Sequence, residues 1–183
     1  MAESLYEKIM QRAFRLLSYK PRTIVEMRGR LLEKEWADAE TVELVINRLQ
    51  ELNYLNDETY ASNFASSRLS MKPLGPARLR RDLQLRKLPP ETVEATLTEA
   101  YAERPEEDLI ASALAKRIRL KGFPTDRAGR GKLIAWLMRR GFSYDLTMRK
   151  LREISGRNQD SADQDSADQD SGPDDDQPFD SAQ

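Results

Sequence analysis

Apolar residues between positions 5 and 154 recur at spacings of three and four, and Pro- or Gly-bearing breaks interrupt that rhythm at near-regular intervals. Such spacing puts side chains on one face of a helix, whereas a half-buried strand would need alternation. Leu5, Ile9, Ala13 and Leu16 begin the pattern, and Ser18-Tyr19-Lys20-Pro21 breaks it. Thr23-Ile24-Val25-Glu26 then has the form of a capping box ahead of Ile24, Met27 and Leu31. Asp38 is placed to cap a third helix carrying Val42, Val45, Ile46 and Leu49.

The same order recurs twice. Asn56-Asp57 opens a helix with Tyr60, Phe64 and Leu69; Lys72-Pro73-Leu74-Gly75-Pro76 breaks it, with Pro76 suited to a first helical position; and Pro89-Pro90 precedes a sixth helix with Val93, Leu97, Ala100 and Tyr101. A third round starts at Pro105-Glu106-Glu107-Asp108, breaks at Gly122-Phe123-Pro124 and again at Gly141-Phe142-Ser143, and ends on Leu146, Leu151 and Ile154. Asp126 stands before the middle helix of this round, whose Gly129 and Gly131 weaken its first turns by about 1 kcal/mol each. The pairs Leu31/Trp36, Leu83/Leu88 and Leu137/Phe142 mark a common register that recurs after 52 and 54 residues. These spacings predict an all-α tandem array of three three-helix repeats, over residues 1–54, 55–103 and 104–154, in which each repeat packs on its neighbour. An array of this kind is expected to be elongated and curved.

From Ser155 the composition changes. Residues 155–183 hold nine Asp and one Arg, and Asp160–Gln164 is repeated at once as Asp165–Gln169. With Phe179 its one large apolar residue, this segment reads as a disordered Asp-rich tail. The overall charge of -1 therefore conceals a body, residues 1–154, with 29 basic and 22 acidic residues. A +7 body is suited to polyanions or acidic surfaces.

The chain has no Cys and no His, which removes zinc fingers, thiol nucleophiles and imidazole bases. Glu106-Glu107-Asp108 could hold Mg²⁺, but the group reads more simply as a helix's acidic first turn. No enzyme, metal or cofactor is expected. No membrane span and no signal peptide are expected either, so the chain is read as cytoplasmic. The candidate binding residues are basic and fall into three clusters. Lys72, Arg78, Arg80, Arg81, Arg86 and Lys87 form the first; Lys116, Arg117, Arg119 and Lys121 the second; Arg139 and Arg140, with Arg149, Lys150 and Arg152 further on, the third. Guanidinium groups suit bidentate pairing with phosphate or carboxylate. Trp36, Tyr54, Trp136 and Phe142 could stack on bases, but their place in the apolar rhythm favours core packing.

The ordered set of motifs resembles the RecX family. It comprises Ala13-Phe14-Arg15-Leu16-Leu17-Ser18-Tyr19-Lys20-Pro21-Arg22-Thr23, Glu26-Met27-Arg28, Leu49, Leu52, Tyr54-Leu55-Asn56-Asp57-Glu58-Thr59-Tyr60-Ala61, Phe64, Arg68, Gly75-Pro76-Ala77-Arg78-Leu79-Arg80-Arg81-Asp82-Leu83 and Arg139-Arg140-Gly141-Phe142-Ser143-Tyr144. Two turns depart from the family pattern: Glu35 and Lys87 stand where a Gly often precedes the aromatic or apolar residue. The resemblance implies a monomer that binds the RecA–single-stranded DNA filament and inhibits RecA ATPase, strand exchange and co-protease activity, restraining recombination and the SOS response. It also implies direct binding to single- and double-stranded DNA. A freestanding nucleic-acid-binding protein that acts without RecA is the alternative.

Overall fold

A computed structural model describes residues 4–167. Nine helices and no strand occur among the described residues: α1 Leu5–Tyr19, α2 Ile24–Leu32, α3 Ala39–Glu51, α4 Asp57–Met71, α5 Pro76–Gln84, α6 Pro90–Glu103, α7 Glu106–Lys121, α8 Arg127–Arg139 and α9 Tyr144–Ala167. They form three three-helix repeats. The described residues divide into two units, with the boundary between Thr147 and Met148.

Local chemistry sets most of the helix starts. The Asp38, Asn56 and Asp126 side chains each accept the backbone N–H three residues on, at α3, α4 and α8. Ser4 and Glu7 form a full capping box at α1, a signal the apolar periodicity does not carry. At α2 the predicted box is only half formed. Thr23 accepts from the Glu26 N–H at 3.2 Å, but the Glu26 carboxylate turns to the Arg86 guanidinium, 3.3 Å away. One oxygen of that carboxylate is turned to the ion pair between repeats, and the other is buried without a hydrogen-bond partner among the described residues.

Apolar faces assemble into successive cores. Ile9, Ala13, Met27, Leu31, Val42, Val45, Ile46 and Leu49 close the first repeat. Ala61, Leu69, Leu74, Leu79, Leu83, Leu88, Val93 and Leu97 close the second. In the third, Ile110, Leu114, Leu133, Leu137 and Phe142 are buried. At about 1.5–3 kcal/mol for each large side chain buried, these rows dominate the stability of each repeat. The register pairs diverge at one point. Leu88 and Phe142 are buried, but Trp36 stays 36 % exposed, with the Lys8 ammonium 4.1 Å above its ring. Tyr54 also lies on the surface, edge-on to Phe14. For these two, the expected core packing does not occur.

Neighbouring repeats meet at corresponding places, the start of one middle helix against the turn after the next, but with different contacts. At the first junction the buried Thr23 hydroxyl donates to the Arg86 carbonyl at 3.1 Å, and the Ile24 N–H donates to the Asp57 carboxylate at 2.9 Å. Burial raises the Asp57 pKa, partly offset by that N–H. At the second junction the contact is between main chains. The Gly75 N–H donates to the Arg140 carbonyl at 2.9 Å, and the Ala77 N–H donates to the Gly141 carbonyl at 3.2 Å. A Cβ on Gly75 would lie 2.2 Å from the Gly141 oxygen, and one on Gly141 would lie 2.2 Å from the Arg78 nitrogen. Only hydrogen fits at either position.

The sequence places the end of the ninth helix at Ile154 and starts a disordered tail at Ser155, whereas α9 continues to Ala167. No Pro or Gly lies between Gly156 and Gly172, so nothing there terminates a helix. The rest of the expected tail, residues 168–183, lies outside the described residues.

Lys87 has φ +58°, a left-handed conformation, at the position where Gly141 has φ +87°. A side chain there is strained. Replacing Lys87 by Gly should raise stability by about 0.5–1 kcal/mol, read from urea unfolding followed by circular dichroism. In the same assay Gly141→Ala should lower stability by about 2–5 kcal/mol, because it combines positive-φ strain with a backbone clash.

Candidate polyanion-binding site

The second junction forms an open, cation-lined cleft. Helix α4 ends at Met71, and Lys72 follows it into the bend at Pro73. Helix α7 brings Lys116, Arg117 and Leu120 opposite, and the end of α8 supplies Trp136 and Arg140. Together these enclose about 290 Å³. An adjoining cleft of about 260 Å³ shares Met71, Lys72 and Arg140 and adds Arg68, Arg78 and Arg139. Among the described residues no carboxylate lines either one.

Arg140 is the hinge of this arrangement. Its backbone carbonyl accepts from Gly75, while its guanidinium donates to the Pro73 carbonyl at 3.0 Å and lies 4.3 Å from the Trp136 ring centre. Arg117 lies 5.2 Å from the same ring. Burial, then the like charge of Arg117, pushes the Arg140 pKa down. Arginine stays protonated even so, hence the cleft holds two close cations around an indole with no counter-charge beside them among the described residues. Asp82, only 7 % exposed, sits under the opposite wall and pairs with Arg68 and with Arg78, the latter at 3.1 Å. One carboxylate shared by two guanidiniums leaves the wall positive.

Six of the twelve predicted site residues meet here: Lys72, Arg78, Lys116, Arg117, Arg139 and Arg140. The other six do not. Arg80 points to α6 and makes a two-pronged pair with Glu94 at 2.7 and 2.8 Å. That pairing holds the Glu94 pKa below its usual value. Arg86 belongs to the first junction, where its side chain pairs with Glu26. Lys87 lines a separate mixed-charge hollow there with Lys20, Arg22, Glu26, Arg30 and Glu33. Arg81, Arg119 and Lys121 are exposed away from the cleft. Sequence reasoning missed Arg68, Met71 and Leu120. Their signal was present in spacing: Arg68 and Met71 are three apart on α4, and Lys116 and Leu120 are four apart on α7. Arg149, Lys150 and Arg152 lie on α9 in the second unit, where Lys150 pairs with Glu153 at 3.0 Å.

Glu106, in the first turn of α7, accepts the Ser143 N–H at 3.3 Å, and burial raises its pKa. That acidic group therefore serves as a fastening within the third repeat. No cluster of three or more acidic side chains that could hold a metal ion occurs among the described residues. No helix among them is long and apolar enough to cross a membrane.

The repeat architecture and its junctions define a tandem three-helix repeat protein. Residues 10–49, 56–97 and 105–151 match the first, second and third three-helix domains of RecX, respectively. The chain belongs to the RecX family of regulatory proteins. It is 34% identical over 154 residues to the regulatory protein RecX of Prosthecochloris aestuarii, covering 84% of this chain and 98% of that one. It is 33% identical over 132 residues to that of Lactococcus lactis subsp. cremoris, covering 72% of this chain. The chain spans about half the length of this Lactococcus relative, 49% of it. A crystal structure of RecX from Lactobacillus salivarius shares the fold, with a TM-score of 0.73 at 22% identity over 82% of this chain and 97% of that one.

Removing cleft charges while sparing the junction should separate binding from folding. A Lys116→Gln/Arg139→Gln double variant should bind single-stranded DNA more weakly and lower the salt slope of binding by about 1.4, at about 0.7 per lost phosphate contact. Its unfolding midpoint should stay near that of the parent. Lys87→Gln, outside the cleft, should leave the salt slope unchanged.

Proposed function

We propose that this protein binds the RecA–single-stranded DNA filament and inhibits RecA ATPase, strand exchange and co-protease activity, thereby restraining recombination and the SOS response. Membership in a family of regulatory proteins supports the regulatory role. The observation that carries the anionic partner is the carboxylate-free cleft at the second junction, where Lys72, Lys116, Arg117, Arg139 and Arg140 converge. A filament offers DNA phosphates and acidic protein surface together, and a basic body meets both. Attraction of this kind speeds encounter and weakens as salt rises. In this reading the protein acts as a monomer in the cytoplasm, without cofactor or catalysis, and its basic cleft also admits single- and double-stranded DNA.

The cleft equally suits a second reading, a nucleic-acid-binding protein that acts without RecA, because nothing in its chemistry demands protein. Titration of the protein into a RecA ATPase assay on single-stranded DNA, well below one molecule per RecA subunit, distinguishes them. The expected outcome is a falling rate with the DNA intact and largely uncoated. An unchanged rate, together with direct salt-sensitive DNA binding at higher concentration, would replace the filament reading with the second one.

A further inference from the structure

One face of α4 joins the two junctions. Tyr60, Phe64, Ser67, Arg68 and Met71, with Lys72 just beyond, follow each other at spacings of one, three and four and line the clefts from the first junction to the second. At the far end from the basic cleft the stripe is aromatic. Tyr60 and Phe64 are stacked, with ring centres 6.3 Å apart and planes 10° from parallel. With Pro21, Asn63 and Ser67 they border an open hollow of about 270 Å³. Both rings are half-buried, since their inner edges pack on the second core while the hollow reaches their outer sides. The Asn63 amide and the Ser67 hydroxyl are exposed and have no hydrogen-bond partner among the described residues.

The two ends differ in charge although each sets two guanidiniums over one ring, Phe64 on α4 and Trp136 on α8. Arg86 and Arg68 stand over Phe64 at 5.3 and 5.9 Å, as Arg140 and Arg117 stand over Trp136. At the aromatic end each guanidinium has a carboxylate, Glu26 for Arg86 and Asp82 for Arg68. At the other end Arg140 and Arg117 have none among the described residues. One end therefore offers a mostly apolar hollow bordered by two rings beside free hydrogen-bonding groups, and the other offers surplus positive charge. Arg68 belongs to both ends, standing over Phe64 and lining the basic cleft with Lys72 and Arg139.

We propose that this face of α4 is a track for an unpaired nucleic-acid strand, which stacks bases at the Tyr60–Phe64 end and lays phosphates at the Lys72 end. The proposal rests on the nucleic-acid part of the reading above and deepens it by assigning strand preference to the aromatic end. From Tyr60 to Lys72 the helix axis runs about 18 Å, at 1.5 Å per residue. About five nucleotides of stacked strand cover that length, at about 3.4 Å each. Base faces are free to meet a ring only in an unpaired strand; a duplex offers its phosphates to the basic end but no base to the aromatic end.

The test uses fluorescence anisotropy with three probes of about twelve nucleotides, within the site sizes single-strand binders use: a thymidine strand, an abasic strand with the same phosphates, and a duplex. The parent protein should bind the thymidine strand about 5- to 100-fold tighter than the abasic one, the range that stacking of one base supplies. Tyr60→Leu/Phe64→Leu keeps apolar bulk against the core; it should bind thymidine and abasic strands alike while its duplex affinity and salt slope stay unchanged. A variant that keeps the preference for thymidine overturns the proposal. If the variant fails to fold, the parent alone decides, because equal affinity for thymidine and abasic strands would make the hollow a packing surface or a seat for a protein side chain. A parent that binds none of the three probes would instead remove the nucleic-acid reading itself.

Discussion

The second junction depends on two backbone hydrogen bonds, from Gly75 to the Arg140 carbonyl and from Ala77 to the Gly141 carbonyl. They draw the start of α5 so close to the turn after α8 that no Cβ fits at Gly75 or Gly141. The same contact places the Arg140 side chain. With its carbonyl committed to Gly75, its guanidinium lies over Trp136, beside Arg117, and reaches the Pro73 carbonyl. Backbone closeness thus gathers like charges that would otherwise separate. The energy of their repulsion is borne by the packed second and third cores, not by any pairing within the cleft.

Much of this architecture was legible in the residues. Caps at Asp38, Asn56 and Asp126 and the prolines at 76 and 90 act within one turn of chain, so their effect can be read locally. The buried rows Val42–Leu49 and Leu79–Leu83 follow from periodicity in the same way. What escaped depends on partners distant in sequence. Glu26 looked like half of a capping box because Arg86, its actual partner, is 60 residues away. Arg80 and Arg139 looked alike as exposed cations, yet one is neutralised by Glu94 and the other lines a carboxylate-free cleft. Trp36 holds the register position of Leu88 and Phe142 but keeps its ring at the surface beneath Lys8.

Charge count and charge availability are accordingly different quantities in this molecule. Arg68 and Arg78 are tied to one Asp82, and Arg30 and Arg48 pair within a helical turn with Glu33 and Glu51. Exposed pairs of that kind contribute at most about 1 kcal/mol each to stability, but they also withdraw cations from any outside anion. The density of basic residues along the chain therefore locates the functional surface only roughly. The absence of carboxylates locates it better.

The two junctions also differ in how they can drift under mutation. The first is written in side chains: Thr23, Glu26, Asp57 and the Arg86 guanidinium each contribute one replaceable group. Compensating exchanges at those positions could loosen or tighten the coupling of the first repeat in small steps. The second is written mainly in main chain, where the two backbone bonds need no side chain at Gly75 or Gly141 and the Arg140 guanidinium adds one bond to the Pro73 carbonyl. The middle repeat of this chain thus has an adjustable joint at one end and a fixed one at the other. Variation in how the first repeat is held can accumulate without disturbing the basic cleft.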